Sequence, residues 1–253
     1  MGFAMAAFHW SMSTPGIAWH WAGVDEKYRR RGIGTELFDR GEEHLRANGV
    51  RKLESFAVEA SGGDAFLASR GYRQTRTEFK QTLDLEGADL GAIDEQIARK
   101  ASEGFTLAPL AELRDRTRDI HAVYAAATAD IPADDPEDDV PFEDWEKQDL
   151  HDPELAWEGS FVVLHEGQPV SLAFLLVNPE KQTATNEMTG TLPAFRGRGL
   201  ARLAKLASIR WAAEQSYRTI YTGNDAENAP MLALNRSLGY EAHWNRLFYA
   251  KDA

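Results

Sequence analysis

Residues 189 to 201, Thr-Gly-Thr-Leu-Pro-Ala-Phe-Arg-Gly-Arg-Gly-Leu-Ala, combine glycines and arginines where a strand pattern changes into a helix pattern. Pro193 ends the strand, and apolar residues recur at helical spacing from Leu200 onward. The first turn of a helix has unpaired N–H groups and a partial positive charge, and glycines allow close backbone approach. Arg196 and Arg198 add full charges. The stretch predicts a phosphate-binding site, and a purely structural turn is the alternative.

A second copy of this pattern lies near the start of the chain. Residues 29 to 34 repeat the spacing Arg-x-x-Gly-x-Gly before another helix pattern. A Gly-Tyr pair follows each copy, at Gly71-Tyr72, 42 residues after the first arginine, and at Gly239-Tyr240, 43 residues after it. Repetition of a motif and its spacing indicates a duplicated unit.

With these two copies the chain resembles a tandem member of the GNAT superfamily of acyl-CoA-dependent N-acyltransferases, whose signature is Gln/Arg-x-x-Gly-x-Gly/Ala between a strand and a helix. The resemblance covers most of the chain and is strongest over residues 187 to 240. There the chain also resembles a bacterial GNAT subgroup, through Thr222, Asn224, Asn228, Met231, Asn235, Leu238, Gly239 and Tyr240.

The resemblance implies a mixed α/β (α+β) fold of two GNAT-like lobes, each a mostly antiparallel twisted sheet flanked by helices, the first lobe being incomplete. It implies acetyl-CoA as co-substrate, with the pantetheine arm along residues 189 to 191 and the pyrophosphate at residues 196 to 201. The cofactor-binding residues that it implies are Thr189, Gly190, Thr191, Arg196, Gly197, Arg198, Gly199, Leu200, Ala201, Asn224 and Asn228.

The implied reaction is transfer of an acetyl group to a primary amine of a small acceptor by direct attack in a ternary complex. An alkylammonium must lose a proton before it attacks, and Glu187 is the predicted general base, with a solvent-facing glutamate as the alternative. Many family members have a proton-donating tyrosine where this chain has Asn235. Because an amide does not titrate near neutrality, Asn235 is predicted to hydrogen-bond the sulfur or the acyl oxygen, or only its own helix. A non-catalytic acyl-CoA-binding module or regulator is the alternative function.

An acidic segment, residues 130 to 146, contains nine carboxylates and no Lys or Arg. GNAT proteins tend to place the acceptor site near this region. The hypothesis is that Asp134, Asp135, Asp138 and Asp139 attract a polycationic acceptor, and a solvated loop is the alternative.

The two copies predict a reduced N-terminal lobe over residues 1–86, a linker over 87–103 and a complete C-terminal acetyltransferase domain over 104–253. A complete GNAT unit has a strand, two helices and a further strand ahead of the first pair of strands here. Either the first lobe is reduced or the chain lacks an N-terminal portion. Ala60 and Leu67 stand at the first-lobe positions of Asn228 and Asn235. We therefore expect acyl transfer in the second lobe only.

Local patterns predict the elements that carry these motifs. The predicted strands are residues 2–10, 16–24, 53–59, 77–85, 161–165, 170–177, 183–192, 219–222 and 247–250. The predicted helices are residues 33–48, 65–69, 92–101, 112–129, 142–145, 230–237 and one that begins near residue 199.

Composition is that of a globular protein, with 43% apolar and 27% charged residues among 253. The absence of cysteine excludes disulfides and a thiol nucleophile, and the seven histidines show no metal-ligand spacing. The formal charge of -12 argues against nucleic-acid binding. The apolar runs are too short for a membrane span, so we expect a cytoplasmic monomer or homodimer without a metal.

Overall fold

The computed structural model describes residues 1–8, 16–86, 88, 90–91, 93–129, 131 and 140–253. These residues form two compact units. As far as it is described, the first unit lies within Met1–Phe79 and Trp244–Ala253, and the second within Lys80–Pro132 and Asp139–His243. The C-terminal strand therefore adds residues to the first unit, although the preceding 164 residues belong largely to the second.

The first unit builds a sheet in the order β1-β2-β3-β10, with β1 antiparallel to β2, β2 parallel to β3 and β3 antiparallel to β10. Phe38 and Leu45 of the long helix pack with Leu53 and Leu247 in its core. The elements are β1 (Gly2–Phe8), β2 (Ile17–Val24), α1 (Ile33–Ala47), β3 (Lys52–Val58), α2 (Gly63–Ala68), β4 (Arg73–Asp84), which passes into the second unit, and β10 (Glu241–Asp252), which returns.

The second unit builds a sheet in the order β4-β9-β8-β7-β6-β5. The pairs β5–β6, β6–β7 and β7–β8 are antiparallel, and β8–β9 is parallel. Its further elements are α3 (Ile93–Ser102), β5 (Phe105–Pro109), α4 (Thr117–Thr128), α5 (Phe142–Trp145), β6 (Phe161–His165), β7 (Gln168–Asn178), β8 (Thr183–Thr191), α6 (Leu200–Glu214), β9 (Thr219–Asp225) and α7 (Ala229–Ser237).

Alternation along β7 places this sheet between two helices. Leu172 and Phe174 point to one face and pack in the cluster that contains Ile120 of α4. Ala173 and Leu175 point to the other face and pack in clusters built on α6. Because successive strand residues face opposite sides, this buried strand is apolar at nearly every position. The predicted fold class, a mostly antiparallel mixed sheet flanked by helices, is confirmed.

Several predicted elements have different bounds. The predicted strands 77–85, 219–222 and 247–250 correspond to the longer strands β4, β9 and β10. The predicted helix 112–129 is regular only from Thr117, since residues 110 to 116 form a tighter turn with a kink at Leu113. Arg116 explains the break, because its guanidinium bonds Asp119 and Gln168 and holds this corner to the β6–β7 turn. That turn has two residues, Glu166 and Gly167, both with positive φ, so β7 begins at Gln168, two residues before the predicted start.

No helix in the described part of the chain is both long enough and apolar enough to cross a lipid bilayer.

Gly190 allows α4 to approach β8 closely, which gives a first prediction. A Cβ built on Gly190 would lie 2.2 Å from the Cβ of Ala127. Gly190→Ala should therefore lower the free energy of unfolding in urea by about 1–3 kcal/mol, the usual cost of overpacking.

Ala127→Gly provides the matched control. Alone it should cost about 1 kcal/mol through helix propensity. Combined with Gly190→Ala it should restore the lost space. The double variant should therefore lose less free energy of unfolding than the two single variants lose in sum. Simple additivity would show that the contact does not limit the approach of α4.

Candidate functional site

The second unit contains a gap where β8 and β9 stop pairing. Their parallel pairing ends at Asn186 and Thr222, although β8 continues to Thr191 and β9 to Asp225. Beyond this point β8 keeps its partner β7 on one edge only. The other edge can accept an extended ligand as an added strand.

A β-bulge lies at the start of this free edge. Ala173 of β7 pairs with Thr189, but Leu175 pairs with Asn186, so β8 has one residue more than β7 over this interval. The extra residue falls at Glu187 and Met188. Such a bulge takes a backbone group out of the ladder and bends the strand, as is common beside active sites.

The glycine loop, residues 196 to 201, joins this edge to α6. Gly197 and Gly199 have φ values of 74° and 76°, and a Cβ on either would meet nothing within 4 Å. The amide of Leu203 bonds the Gly199 carbonyl, so the three amides before it in α6 have no acceptor within the helix. The loop thus presents backbone donors and open space to an anion.

The free edge, the glycine loop and α7 enclose a cleft of about 560 Å³. Most of the predicted cofactor residues line it: Thr189, Gly190, Thr191, Arg196, Gly197, Gly199, Leu200, Ala201 and Asn228. The prediction missed further lining residues, namely Ala127, Ile131, Phe195, Arg202, Glu227, Pro230, Met231 and Leu234. Ala127 lies on α4, and Met231 and Leu234 lie on α7, so only the fold shows that these helix faces border the cleft.

Arg198, Asn224 and Asn235 are predicted residues that do not line this cleft, and Asn228 has a second contact. Asn228 lines the cleft and also caps α7, since its Oδ1 accepts from the Met231 amide at 3.2 Å. Asn224 and Asn235 belong to a buried side-chain network, in which Asn235 Nδ2 donates to Asn224 Oδ1 at 2.7 Å. The Arg198 guanidinium lies 5.4 Å from the Phe195 ring centroid. The roles predicted for these residues stay predictions.

The first arginine of the motif has the same contact in both copies. Arg196 Nε donates to the Thr191 carbonyl at 3.1 Å, and Arg29 Nε donates to the Val24 carbonyl at 3.0 Å. Each arginine thus holds its loop to the end of the preceding strand. The helix that follows has 15 residues in each copy.

Glu187 is exposed on β8 at the bulge. Its charge affects a second carboxyl group, that of Asp149. Asp149 follows α5 and accepts a hydrogen bond from the Tyr124 hydroxyl at 3.1 Å. Burial is the largest of the effects that together raise the pKa of Asp149 from 3.8 to about 6. The charges of Glu187 and Asp152 add to it, and the Tyr124 hydrogen bond and His121 oppose it. A carboxylate with a pKa near 6 suits proton transfer at neutral pH.

The acidic-loop hypothesis concerned Asp134, Asp135, Asp138 and Asp139. These four residues lie outside the described residues. Asp149 was missed because nothing in its local sequence distinguishes it from the other acidic residues nearby.

The equivalent gap in the first unit has aromatic side chains beside it. The β2–β3 pairing ends at Trp19 and Glu54, although both strands continue. Two residues further along each strand, the rings of Trp21 and Phe56 meet with centroids 5.4 Å apart. Met188 and Asn224 hold the corresponding places in the second unit. Aromatic rings therefore pack across the two strands at the first gap, where the second unit has a methionine and an asparagine.

Comparison with known proteins agrees with this architecture. The chain is 26% identical over 242 residues to a mycothiol acetyltransferase of Thermobifida fusca, covering 90% of this chain and 72% of that protein. A GCN5-related N-acetyltransferase from Sphaerobacter thermophilus superposes with a TM-score of 0.74 at 17% identity, over 99% of this chain and 76% of that one. A tandem GNAT protein from the clavulanic acid biosynthesis pathway gives 0.69 at 21% identity, over 94% and 75%.

The family model described as acetyltransferase (GNAT) family matches residues 1–72 and 119–240, which is well over half of the chain and includes both glycine loops. The chain therefore belongs to the GNAT family of acetyltransferases.

Proposed function

We propose that this protein is an acetyl-CoA-dependent N-acetyltransferase that acts on a primary amine of a small acceptor by direct attack in a ternary complex. The observation that carries the proposal is the cleft in which the free edge of β8 leads to the unpaired amides of α6. Membership of the GNAT family and the likeness to a mycothiol acetyltransferase support it.

The residues of the cleft fit an acyl-CoA. Residues 189 to 191 offer backbone groups to an extended amide-containing arm. The first turn of α6, with Arg202 beside it, offers donors and positive charge to a pyrophosphate, and the space above Gly197 and Gly199 is open. Bound acetyl-CoA would supply an acetyl group activated as a thioester.

Two carboxyl groups can bind the ammonium form of the acceptor and take up its proton. An alkylammonium has a pKa near ~10, so it needs a base at neutral pH. We expect Glu187 to hold the ammonium group and a carboxylate oxygen of Asp149 to accept its proton, because Asp149 is the more buried of the two. The backbone amide that the β8 bulge frees can donate a hydrogen bond to an acyl oxygen.

The second candidate is an acyl-CoA-binding protein without turnover. The observation that favours it is the position of Asn235, which is fully buried and uses both Nδ2 hydrogens inside the protein, on Gln81 and Asn224. Asn235 therefore has no hydrogen left to donate to a departing thiolate. The proton would have to come from water, which suffices for a leaving group as acidic as a thiol, with a pKa near ~8.5.

A CoA-release assay separates these candidates. The wild-type protein should release CoA from acetyl-CoA when D-glucosamine, spermidine, kanamycin or L-lysine is added, and mass spectrometry should find the acetylated amine. Asp149→Asn should lower the rate at least ~100-fold, within the usual range for loss of a general base. Tight acetyl-CoA binding without CoA release for a broad amine panel would favour the binding protein instead.

The two glycine loops allow a matched test of where acetyl-CoA binds. Gly199 and Gly32 both begin a helix with positive φ and open space at the Cβ position. Valine at either place should cost about 1–2 kcal/mol of stability through backbone strain. By calorimetry, Gly199→Val should weaken acetyl-CoA binding at least ~10-fold through lost anion contacts, one such contact being worth about that factor.

Gly32→Val is the control and should leave acetyl-CoA affinity unchanged, because aromatic rings fill the first gap. If Gly32→Val weakened binding as much as Gly199→Val, the first unit would take part in cofactor binding and its predicted structural role would be wrong.

Asp149 makes a linked prediction for pH. The activity kcat/KM should fall as pH decreases through about 6, the pKa of Asp149, because the protonated acid cannot act as a base. Tyr124→Phe removes a hydrogen bond that stabilises the carboxylate, so it should move this acidic limb to higher pH. Glu187→Gln removes a like charge and should move the limb to lower pH. If the acidic limb of the kcat/KM profile stayed at the same pH in both variants, Asp149 could not be the titrating base.

Stability gives an independent readout for Asp149. Its folded pKa of about 6 exceeds its ordinary value of 3.8, so the folded state binds more protons between these values. Stability therefore decreases as pH rises through this window, and the full cost is present at pH 7. Asp149→Asn should raise the melting temperature at about pH 7 but not at about pH 4. An equal gain at both pH values would contradict the burial of a charged carboxylate.

A further inference from the structure

A lysine side chain lies inside the second unit, between α6 and α7. Lys205 is 1% exposed, and its Nζ donates to Asn235 Oδ1 at 2.7 Å. Nζ also lies 4.9 Å from the centroid of the Tyr240 ring. Lysine is among the residues least often buried without a charged partner, so this placement calls for a physical reason.

Asn235 extends the contact into a four-residue polar hub, which we define as Lys205, Asn235, Asn224 and Gln81. The Asn235 amide donates to Gln81 Oε1 at 3.0 Å and to Asn224 Oδ1 at 2.7 Å. The hub thus joins α6, α7, β9 and β4. Because buried polar groups are costly when unpaired, this geometry fixes the position of α7 against α6.

The hub lies directly behind the cleft. Ala201, one helical turn before Lys205, lines the cleft, and so does Leu234, which precedes Asn235. Arg202 makes a second connection between the same helices, through Nη1 to Ser237 Oγ at 2.8 Å. Hydrogen bonds between α6 and α7 therefore connect the two helices that border the cleft. The residues that make these bonds lie close in sequence to the residues that line it.

Lys205 also brings a charge to this position. Among the described residues, the ion pairs do not include Lys205, and burial lowers its pKa from 10.5 to about 7. The four elements of the hub carry further charged and titratable groups. They are Arg202, Arg210 and Glu214 on α6, Arg236 on α7, Tyr221 and Asp225 on β9, Lys80 and Asp84 on the second-unit part of β4, and the Tyr240 hydroxyl that follows α7. Burial alone is the cause of the lowered pKa, and a nearby anion would oppose it.

Neutral side chains could join two helices without burying an ammonium group. A buried ammonium group is stabilised when an anion binds nearby. The proposed function places such an anion, a pyrophosphate, at the first turn of α6. A unit charge about 10 Å away across partly buried protein changes affinity by roughly tenfold.

We propose that Lys205 is a positioning residue of the cofactor cleft: its ammonium group fixes α7 against α6 through Asn235 and adds buried positive charge behind the glycine loop, so that cofactor binding and protonation of Lys205 promote each other. The inference rests on the proposed function, because it needs a phosphate-bearing ligand in the cleft. The coupling is reciprocal, as for any two linked binding events.

The sign of the coupling is fixed. In the free protein at pH 8 most Lys205 side chains are neutral, since their pKa is about 7. A bound pyrophosphate favours the ammonium form, so binding at pH 8 takes up protons from solution. Affinity is therefore full below about pH 7 and decreases as pH rises through the pKa of the complex.

Calorimetry of acetyl-CoA binding at pH 8, in Tris and in phosphate buffer, measures this uptake from the difference in apparent enthalpy. No amine is added, so turnover plays no part. We expect the wild type to take up a substantial fraction of one proton. Lys205→Met should bind about tenfold more weakly with no uptake, whereas Lys181→Met, at an exposed lysine of the β7–β8 turn, should behave as wild type.

Asn235→Asp provides a second variant of nearly unchanged shape. It places a carboxylate beside the ammonium group, which keeps Lys205 protonated at pH 8, while the amides of Gln81 and Asn224 can rotate to donate. We expect affinity near the wild-type value and no proton uptake. Circular dichroism and thermal melting verify that each variant is folded.

The outcomes distinguish the two proposals. Absence of acetyl-CoA binding to the wild type would overturn the proposed function and this inference with it. Binding with wild-type proton uptake in folded Lys205→Met would overturn only the role of Lys205. If Lys205→Met does not fold, wild-type uptake in Asn235→Asp would have the same meaning.

Discussion

The second unit depends on a parallel strand pair that separates before either strand ends. After Asn186 and Thr222, β8 continues with an unpaired edge as far as Thr191. Backbone N–H and C=O groups removed from water need partners, so such an edge must meet side chains, solvent or a ligand. The bulge, the glycine loop and α7 lie around this edge. Together they leave an open cleft here instead of a packed core.

The first unit meets the same constraint in another way. Its β2–β3 pair also separates early, but Trp21 and Phe56 close the gap with aromatic packing. In its glycine loop Arg30, with φ of 61°, stands where the second copy has Gly197. The same strand arrangement is therefore packed with aromatic rings in one unit and borders an open cleft in the other, and the side chains near the gap differ between the two.

Sequence patterns predicted those parts of the fold that depend on local signals. Pro193, Gly199 and the Gly71 and Gly239 turns mark element ends, because proline and glycine restrict the backbone locally, and the predicted helices at 33, 142 and 230 agree closely with the structure. The bulge at Glu187 could not be predicted, because register depends on two strands at once. The pKa of Asp149 is raised by burial and by the charge of Glu187, which is distant in sequence. The residues next to Asp149 in the sequence therefore do not indicate it.

Asn235 has a structural role that a local comparison does not reveal. By position it replaces a tyrosine that many family members use as a proton donor. Within the hub it accepts from Lys205 and donates to Gln81 and Asn224. A tyrosine hydroxyl has a single hydrogen to donate, so it could not satisfy all three partners, and Lys205 would lose its acceptor or an amide oxygen its donor. The amide at 235 thus meets the needs of three buried partners at once, so packing alone accounts for its presence at this position.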